Sequence, residues 1–210
     1  MSNTTRALDA VIINGDTGNL YSVYNALSYL GFNVKITRDA NEILSSKRVV
    51  MPGVGAFTAF MQGLQKAGLQ DAVQTVIEKQ IPLLGICVGM QVLFEYGEEN
   101  GLHPGLGLLK GNVKRFPEMD GITVPQTGWN TIQIQDETDR LFQGIPQQSF
   151  VYFNHSYYCD AQQPERMLTT TQFGIGYASA VRIGNVAGVQ FHPEKSHTVG
   201  LKLLSNFMTL

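Results

Sequence analysis

A cysteine held between two glycines, and a histidine two residues before a glutamate, are the parts of this sequence that could do covalent chemistry. In Gly85-Ile86-Cys87-Val88-Gly89, Cys87 directly follows the apolar run 82–86, and a helical pattern begins at Met90. A G-x-nucleophile-x-G segment between strand and helix forms a nucleophile elbow. The glycines permit a tight turn, and the central side chain is pushed out above the sheet edge. There a helix N-terminus and exposed backbone N–H groups favour a thiolate. The Val88 N–H would lie where an oxyanion develops. The second segment is Gln190-Phe191-His192-Pro193-Glu194, after the apolar run VAGV. In an extended chain residues i and i+2 point to one side. His192 can then face Cys87 while Glu194 orients its other nitrogen, the nucleophile–base–orienter arrangement of acyl transfer. Each motif has a plainer reading: Cys87 as a small buried thiol beside a glycine-rich turn, His192 as a histidine near a helix start. Together they favour catalysis, because each supplies what the other's chemistry lacks.

Two weaker segments could complete a pocket. Pro52-Gly53-Val54-Gly55 ends a predicted strand. Open α/β sheets bind ligands at such ends, and Gly53 and Gly55 let backbone amides approach a substrate. It reads equally as a strand-to-helix turn. Phe153-Asn154-His155-Ser156-Tyr157 places polar groups after an apolar strand, a common pattern.

Holding these segments together requires a sheet. Apolar runs at 11–14, 34–37, 48–51 and 82–86 alternate with helical spacing. The helical sets are Leu20, Val23, Leu27 and Leu30, with Gly31 as a stop; Phe57, Phe60, Met61 and Leu64; Val73, Val76 and Ile77; and Met90, Leu93 and Phe94. Such alternation predicts parallel β-α-β units with helices on both faces. Strand-like pieces at 112–116, 130–134, 150–153, 167–171, 178–181 and 186–190 are joined by turn signals and predict antiparallel ribbons. Leu203, Leu204, Phe207 and Met208 form the apolar stripe of a last helix, capped by Ser196 or Thr198. Asp16-Thr17-Gly18-Asn19 reads as a turn and cap before Leu20. The expected architecture is one three-layer α/β/α domain over residues 1–210, with a mixed, mostly parallel sheet and an antiparallel extension.

Composition narrows the function classes. Fifteen Lys and Arg against seventeen Asp and Glu leave a net charge of −2, which offers no pull on nucleic acid or anionic lipid. Charged residues are 15% of the chain and hydrophobic residues 43%. That balance excludes intrinsic disorder and fits a deeply buried sheet or a surface covered by a partner. No stretch reaches the roughly 18 uninterrupted apolar residues of a membrane span, the longest apolar segment, 81–94, being broken by glycines and Gln91. The polar start MSNTTRALDA lacks the apolar core of a secretory signal. Cys87 and Cys159 make no disulfide framework, and no Cys/His cluster has zinc spacing. Cys159 reads as a packed or surface thiol. A reducing, cytoplasmic setting is expected, with no metal or organic cofactor. Trp129, Tyr152, Phe153, Tyr157 and Tyr158 read as core, or in the case of Trp129 as an interface.

PGVGAF (52–57), GICVGMQ (85–91), NHSYY (154–158) and QFHPEKS (190–196) occur in the order and spacing of class I glutamine amidotransferases, which the chain resembles over residues 10–210. Gly18-Asn19-Leu20, Gly128-Trp129-Asn130 and the terminal LLSNF make it similar to the glutaminase subunits of imidazole glycerol phosphate synthases. The resemblance implies that Cys87 attacks the carboxamide of glutamine, that His192 shuttles the proton, and that Glu194 holds His192. It implies a γ-glutamyl thioester hydrolysed to glutamate. Gly53, Gly55, Val88, Gln91, Glu99, His155, Ser156 and Tyr157 match positions that bind glutamine or line its pocket, and the Gly53-Val54 peptide matches a segment that completes the oxyanion hole. It further implies a (β/α)₈-barrel cyclase partner in a heterodimer. Ammonia delivered there would serve imidazole glycerol phosphate and AICAR formation in histidine biosynthesis. The chain differs where the subfamily reads PHMGWN: here the run is Pro125-Gln126-Thr127-Gly128-Trp129-Asn130. Asn154 stands where an apolar residue is usual. These differences are expected on the partner-facing side. Other readings are a paralogous subunit feeding a sugar amidotransferase, and a catalytically silent binding subunit.

Overall fold

The structure, a computed structural model, describes residues 8–15 and 18–210. The sequence expectations for residues 1–7, Asp16 and Thr17 lie outside the described residues. The first half winds as β1 (Ala10–Ile13), α1 (Leu20–Tyr29), β2 (Val34–Thr37), α2 (Ala40–Ser45), β3 (Val49–Gly53), α3 (Phe57–Lys66), α4 (Gln70–Glu78), β4 (Leu83–Cys87) and α5 (Val88–Gln91). Strands β2, β1, β3 and β4 lie side by side and parallel. Every residue of β1, β3 and β4 is buried. That is why these segments read as continuous apolar runs: helices cover both faces.

Connection handedness assigns the layers. From β1 to β2 the chain steps one way along the sheet; from β2 to β3 and on to β4 it steps back. Right-handed crossovers therefore put α1 on one face and α2, α3 and α4 on the other. The helix contacts agree, since α2 packs on α4 and α1 on the C-terminal helix α6 (His197–Phe207).

The second half comprises β5 (Phe94–Gly97), β6 (His103–Pro104), β7 (Leu109–Arg115), β8 (Gln126–Thr131), β9 (Gln133–Ile134), β10 (Phe150–His155), β11 (Tyr157–Ala161), β12 (Met167–Phe173), β13 (Ile175–Ile183) and β14 (Val186–Val189). β14 returns beside β4 in parallel, which brings the two chemical segments together. From β14 the sheet continues through β13, β11, β7, β5 and β6, mostly by antiparallel pairs. β8 and β10 form a separate antiparallel ribbon.

Several elements depart from the sequence reading; β6 was not expected, and the strand expected over 130–134 is divided between β8, which begins at Gln126, and β9. Helix α2 was not anticipated, because its six residues bury one large apolar side chain, Ile43, and show no periodicity. Asp39 starts it by accepting from Asn41 N at 2.8 Å. The helix expected through Leu93 and Phe94 lasts one turn. The Leu93 carbonyl accepts from both Leu108 and Leu109, and Phe94 enters the sheet beside β7. Tertiary pairing there outcompetes helical periodicity. Strand β11 also went unread. Around Ser156 the chain crosses from the β8–β10 ribbon into the large sheet, so one polar run serves two ladders.

Candidate active site

The elbow forms for steric reasons. A Cβ on Gly85 would sit 2.3 Å from Gly89 O, and one on Gly89 would sit 1.9 Å from Met51 O. Neither position admits a side chain without backbone movement. Between them Cys87 takes φ 56°, a conformation uncommon for a residue with a Cβ. It ends β4 and immediately precedes α5. As the first helical residue, Val88 has an N–H with no intrahelical acceptor. Gly53 pairs with Cys87 across β3–β4. A Cβ there would lie 2.9 Å from Gly89 N and from the Phe60 ring. Gly53 thus fits the elbow against β3 and does not line the cavity, whereas Val54 and Gly55 do.

After β14 the chain leaves the sheet and is tied to β10. His192 N donates to Tyr152 O at 2.9 Å. Ser196 Oγ donates to His192 O at 2.6 Å and accepts from Tyr152 N at 3.0 Å. Ser196 makes no side-chain cap bond to α6, and Thr198 lies inside that helix. The serine's work is to hold the histidine segment. The geometry that pairs His192 with Glu194 also differs from the sequence reading. His192 is extended, but Glu194 sits in a short 3-10 turn, Pro193–Lys195, and reaches back from it. Its Oε1 lies 2.9 Å from His192 Nδ1, and both side chains are nearly sealed, 4% and 1% exposed. Nδ1 faces Glu194, which leaves Nε2 for the Cys87 thiol. Burial alone would push the imidazole toward neutrality. Hydrogen bonds and charge from Cys87 and Glu194 outweigh it and raise His192 to about 10.

Cys87 and His192 face a cavity of about 300 Å³ whose wall includes Val88, Gln91, Glu99, His155, Ser156 and Tyr157. The residues named from sequence therefore converge, apart from Gly53 and the Glu194 behind His192. Glu99 accepts from Phe57 N at 2.9 Å, so it also anchors the start of α3. His155 is buried and held near 4, chiefly by desolvation and further by the His192 charge, against a hydrogen bond to Tyr157 O. It is a neutral ring at physiological pH, with Nδ1 2.8 Å from that carbonyl. Asn154, Pro125 and Lys195 complete the wall and were not named as site residues.

Two polar side chains behind the wall were missed. Gln190, flanking the FHPE motif, has no exposed surface and places Nε2 3.8 Å from Cys87 Sγ. Gln126 is 4% exposed, and its Oε1 accepts from Tyr177 OH at 2.8 Å; that hydroxyl lies 3.3 Å from His155 Nε2. The Gln126 difference is expected on the partner-facing side; the residue itself is buried behind His155, because alternation along β8 turns it inward. Thr127 is exposed and bonds Asn154 at 3.1 Å. Cys159, on β11, is fully buried, which pushes its thiol well up and leaves it inert.

The family model for glutamine amidotransferase class-I matches residues 11–210. The imidazole glycerol phosphate synthase subunit HisH of Moorella thermoacetica is 47% identical over 93% of this chain and 92% of its own length. The protein of the same description from Acinetobacter baylyi is 42% identical over 91% and 93%. A chain in the structure of PurLQS from Thermotoga maritima superposes with a TM-score of 0.76 at 16% identity, covering 97% of this chain and 99% of that one. With a cysteine elbow beside a His–Glu pair, and with likeness along nearly its whole length, this chain belongs to the class I glutamine amidotransferases, in the group of HisH subunits.

Proposed function

We propose that the chain hydrolyses glutamine through Cys87, His192 and Glu194 and passes the ammonia to a (β/α)₈-barrel cyclase subunit. The reading rests above all on one observation: Cys87 and a buried His192–Glu194 pair meet at the wall of a cavity sized for a small amino acid. The thiolate attacks the glutamine Cδ, and the Val88 N–H faces the developing oxyanion. The His192 imidazolium gives its proton to the departing nitrogen, releasing ammonia and leaving a γ-glutamyl thioester. Water then attacks the thioester, His192 takes its proton, and glutamate leaves. Glu194 keeps Nδ1 protonated and stabilises the imidazolium. Gln91, Glu99, His155, Ser156 and Tyr157 hold the amino-acid end, with Gly55 and Val54 opposite. Neutral His155 can bond substrate without adding a second positive charge beside His192.

The relatives are described as subunits of imidazole glycerol phosphate synthase, which supports a partner subunit; a cyclase of histidine biosynthesis in a cytoplasmic heterodimer fits that role. Among the described residues no helix is long and apolar enough to cross a membrane. Cys87→Ala should abolish glutamate release while leaving the thermal transition in place; full residual turnover would sink the mechanism. Glutamate formation with and without the cyclase and its nucleotide ligand tests the partner. Stimulation by both supports it. A reactive Cys87 without stimulation moves the search to a sugar-amidating synthase.

A further inference from the structure

We propose that Gln190 is a positioning residue that holds the Cys87 sulfur and the substrate-facing amide of Gln91 in one hydrogen-bonded chain; the inference deepens the glutaminase reading and rests on it. The direction of the chain follows from one fixed acceptor. The Tyr157 backbone carbonyl can only accept, so Gln91 must present its NH₂ there, at 3.0 Å. The same Gln91 nitrogen lies 3.1 Å from Gln190. That contact must then be to the Gln190 oxygen, which turns the Gln190 NH₂ toward Cys87 Sγ, at 3.8 Å. Neither amide can be flipped without setting two donors, or two acceptors, against each other.

The consequences are chemical. Gln190 is completely buried, so its polar groups find no water, and each bond to them matters more than at a surface. Its N–H approaches the sulfur as a donor, and a donor stabilises a thiolate more than a thiol. Both protons of Gln91 Nε2 are consumed, one by Tyr157 O and one by Gln190 Oε1. Gln91 Oε1 is therefore left to accept from a ligand in the cavity it lines. One buried side chain sets both the nucleophile's donor and the orientation of a substrate-binding group. Its backbone N–H, bonded to Ser179 O at 2.9 Å, fixes it to the sheet.

The test compares wild type, Q190M, Q91M and C87A. Methionine keeps the shape of Gln190 without donating or accepting a strong hydrogen bond. Alkylation of Cys87 by iodoacetamide is followed against pH, the site being located by mass spectrometry. Q190M should react about five- to tenfold more slowly at neutral pH, with its profile moved to higher pH. Its KM for glutamine should rise severalfold as kcat falls. Q91M should raise KM and, because Gln190 keeps its NH₂ within reach of the sulfur but loses the donor to its Oε1, move the alkylation profile less than Q190M does. A folded Q190M with a profile superimposable on wild type overturns the inference. If Q190M does not fold, the wild-type Gln190 side-chain NH₂ resonances decide. They should move as Cys87 titrates and stand still in C87A; signals indifferent to pH also overturn it. Full turnover by C87A would instead defeat the underlying glutaminase reading, whatever Gln190 does.

Discussion

His155 and His192 share one pocket, yet the protein holds them in opposite charge states. His192 is raised to about 10 because Cys87 and Glu194 outweigh burial; His155 is lowered to about 4 mainly because burial dominates. Linkage turns these shifts into opposite pH dependences. The raised His192 contributes stability that is full below about 6.5 and is lost as pH rises through about 10. For the lowered His155 the unfolded chain binds the proton first, so stability is lost as pH falls from about 6.5 toward 4. The loss approaches roughly 1.4 kcal/mol per pH unit. His155→Gln should flatten the acid limb of stability against pH, measured by urea unfolding between pH 4 and 7; an unchanged limb would contradict the assignment. Glu194→Gln should lower glutaminase kcat at least about a hundredfold while Cys87 remains alkylatable. At this scale the residue types and their spacing were readable in sequence. The partners of Gln190 and Gln126 were not, because these glutamines act on residues far away along the chain.

Short-range sterics and a few side-chain ties build the elements that carry the site. Gly89→Ala should destabilise the fold by about 2–4 kcal/mol, because its Cβ would meet the Met51 carbonyl rather than a movable side chain. A Tm within about a degree of wild type would count against the packed elbow. Asp139 starts a 3-10 turn by accepting from Leu141 N at 2.8 Å, and it pairs twice with Arg182 of β13, at 2.5 and 2.9 Å. Asn206 of α6 donates to Leu141 O and Gln143 O around the same turn. Asp139→Ala should therefore cost about 2 kcal/mol in denaturant unfolding and spare turnover per folded molecule. Strands β1, β3, β4 and β14 could be read from their apolar runs because burial on both faces writes itself into composition. Helix α5 misled, since its apolar residues keep helical spacing after the backbone has left the helix.

At the scale of the whole molecule, a mixed sheet brings β4 and β14 side by side although about a hundred residues separate them. Near the histidine segment stands Trp129, 46% exposed and stacked on His197 with ring centroids 4.9 Å apart. If this face meets the proposed cyclase, Trp129→Ala should weaken the complex about tenfold or more by calorimetry while leaving Cys87 alkylation unchanged. Unaltered affinity would place the interface elsewhere. By itself the sequence determined the parallel α/β framework, the elbow and the His-x-Glu pair, because apolar periodicity, glycine sterics and local residue order are properties of short segments. The tertiary structure alone decided that β14 lies beside β4, that the NHSYY run bridges two sheets, that Glu194 reaches His192 from a turn, and that Gln190 joins Cys87 to Gln91. Those are contacts between distant segments, and they exist only once burial has closed the chain around them.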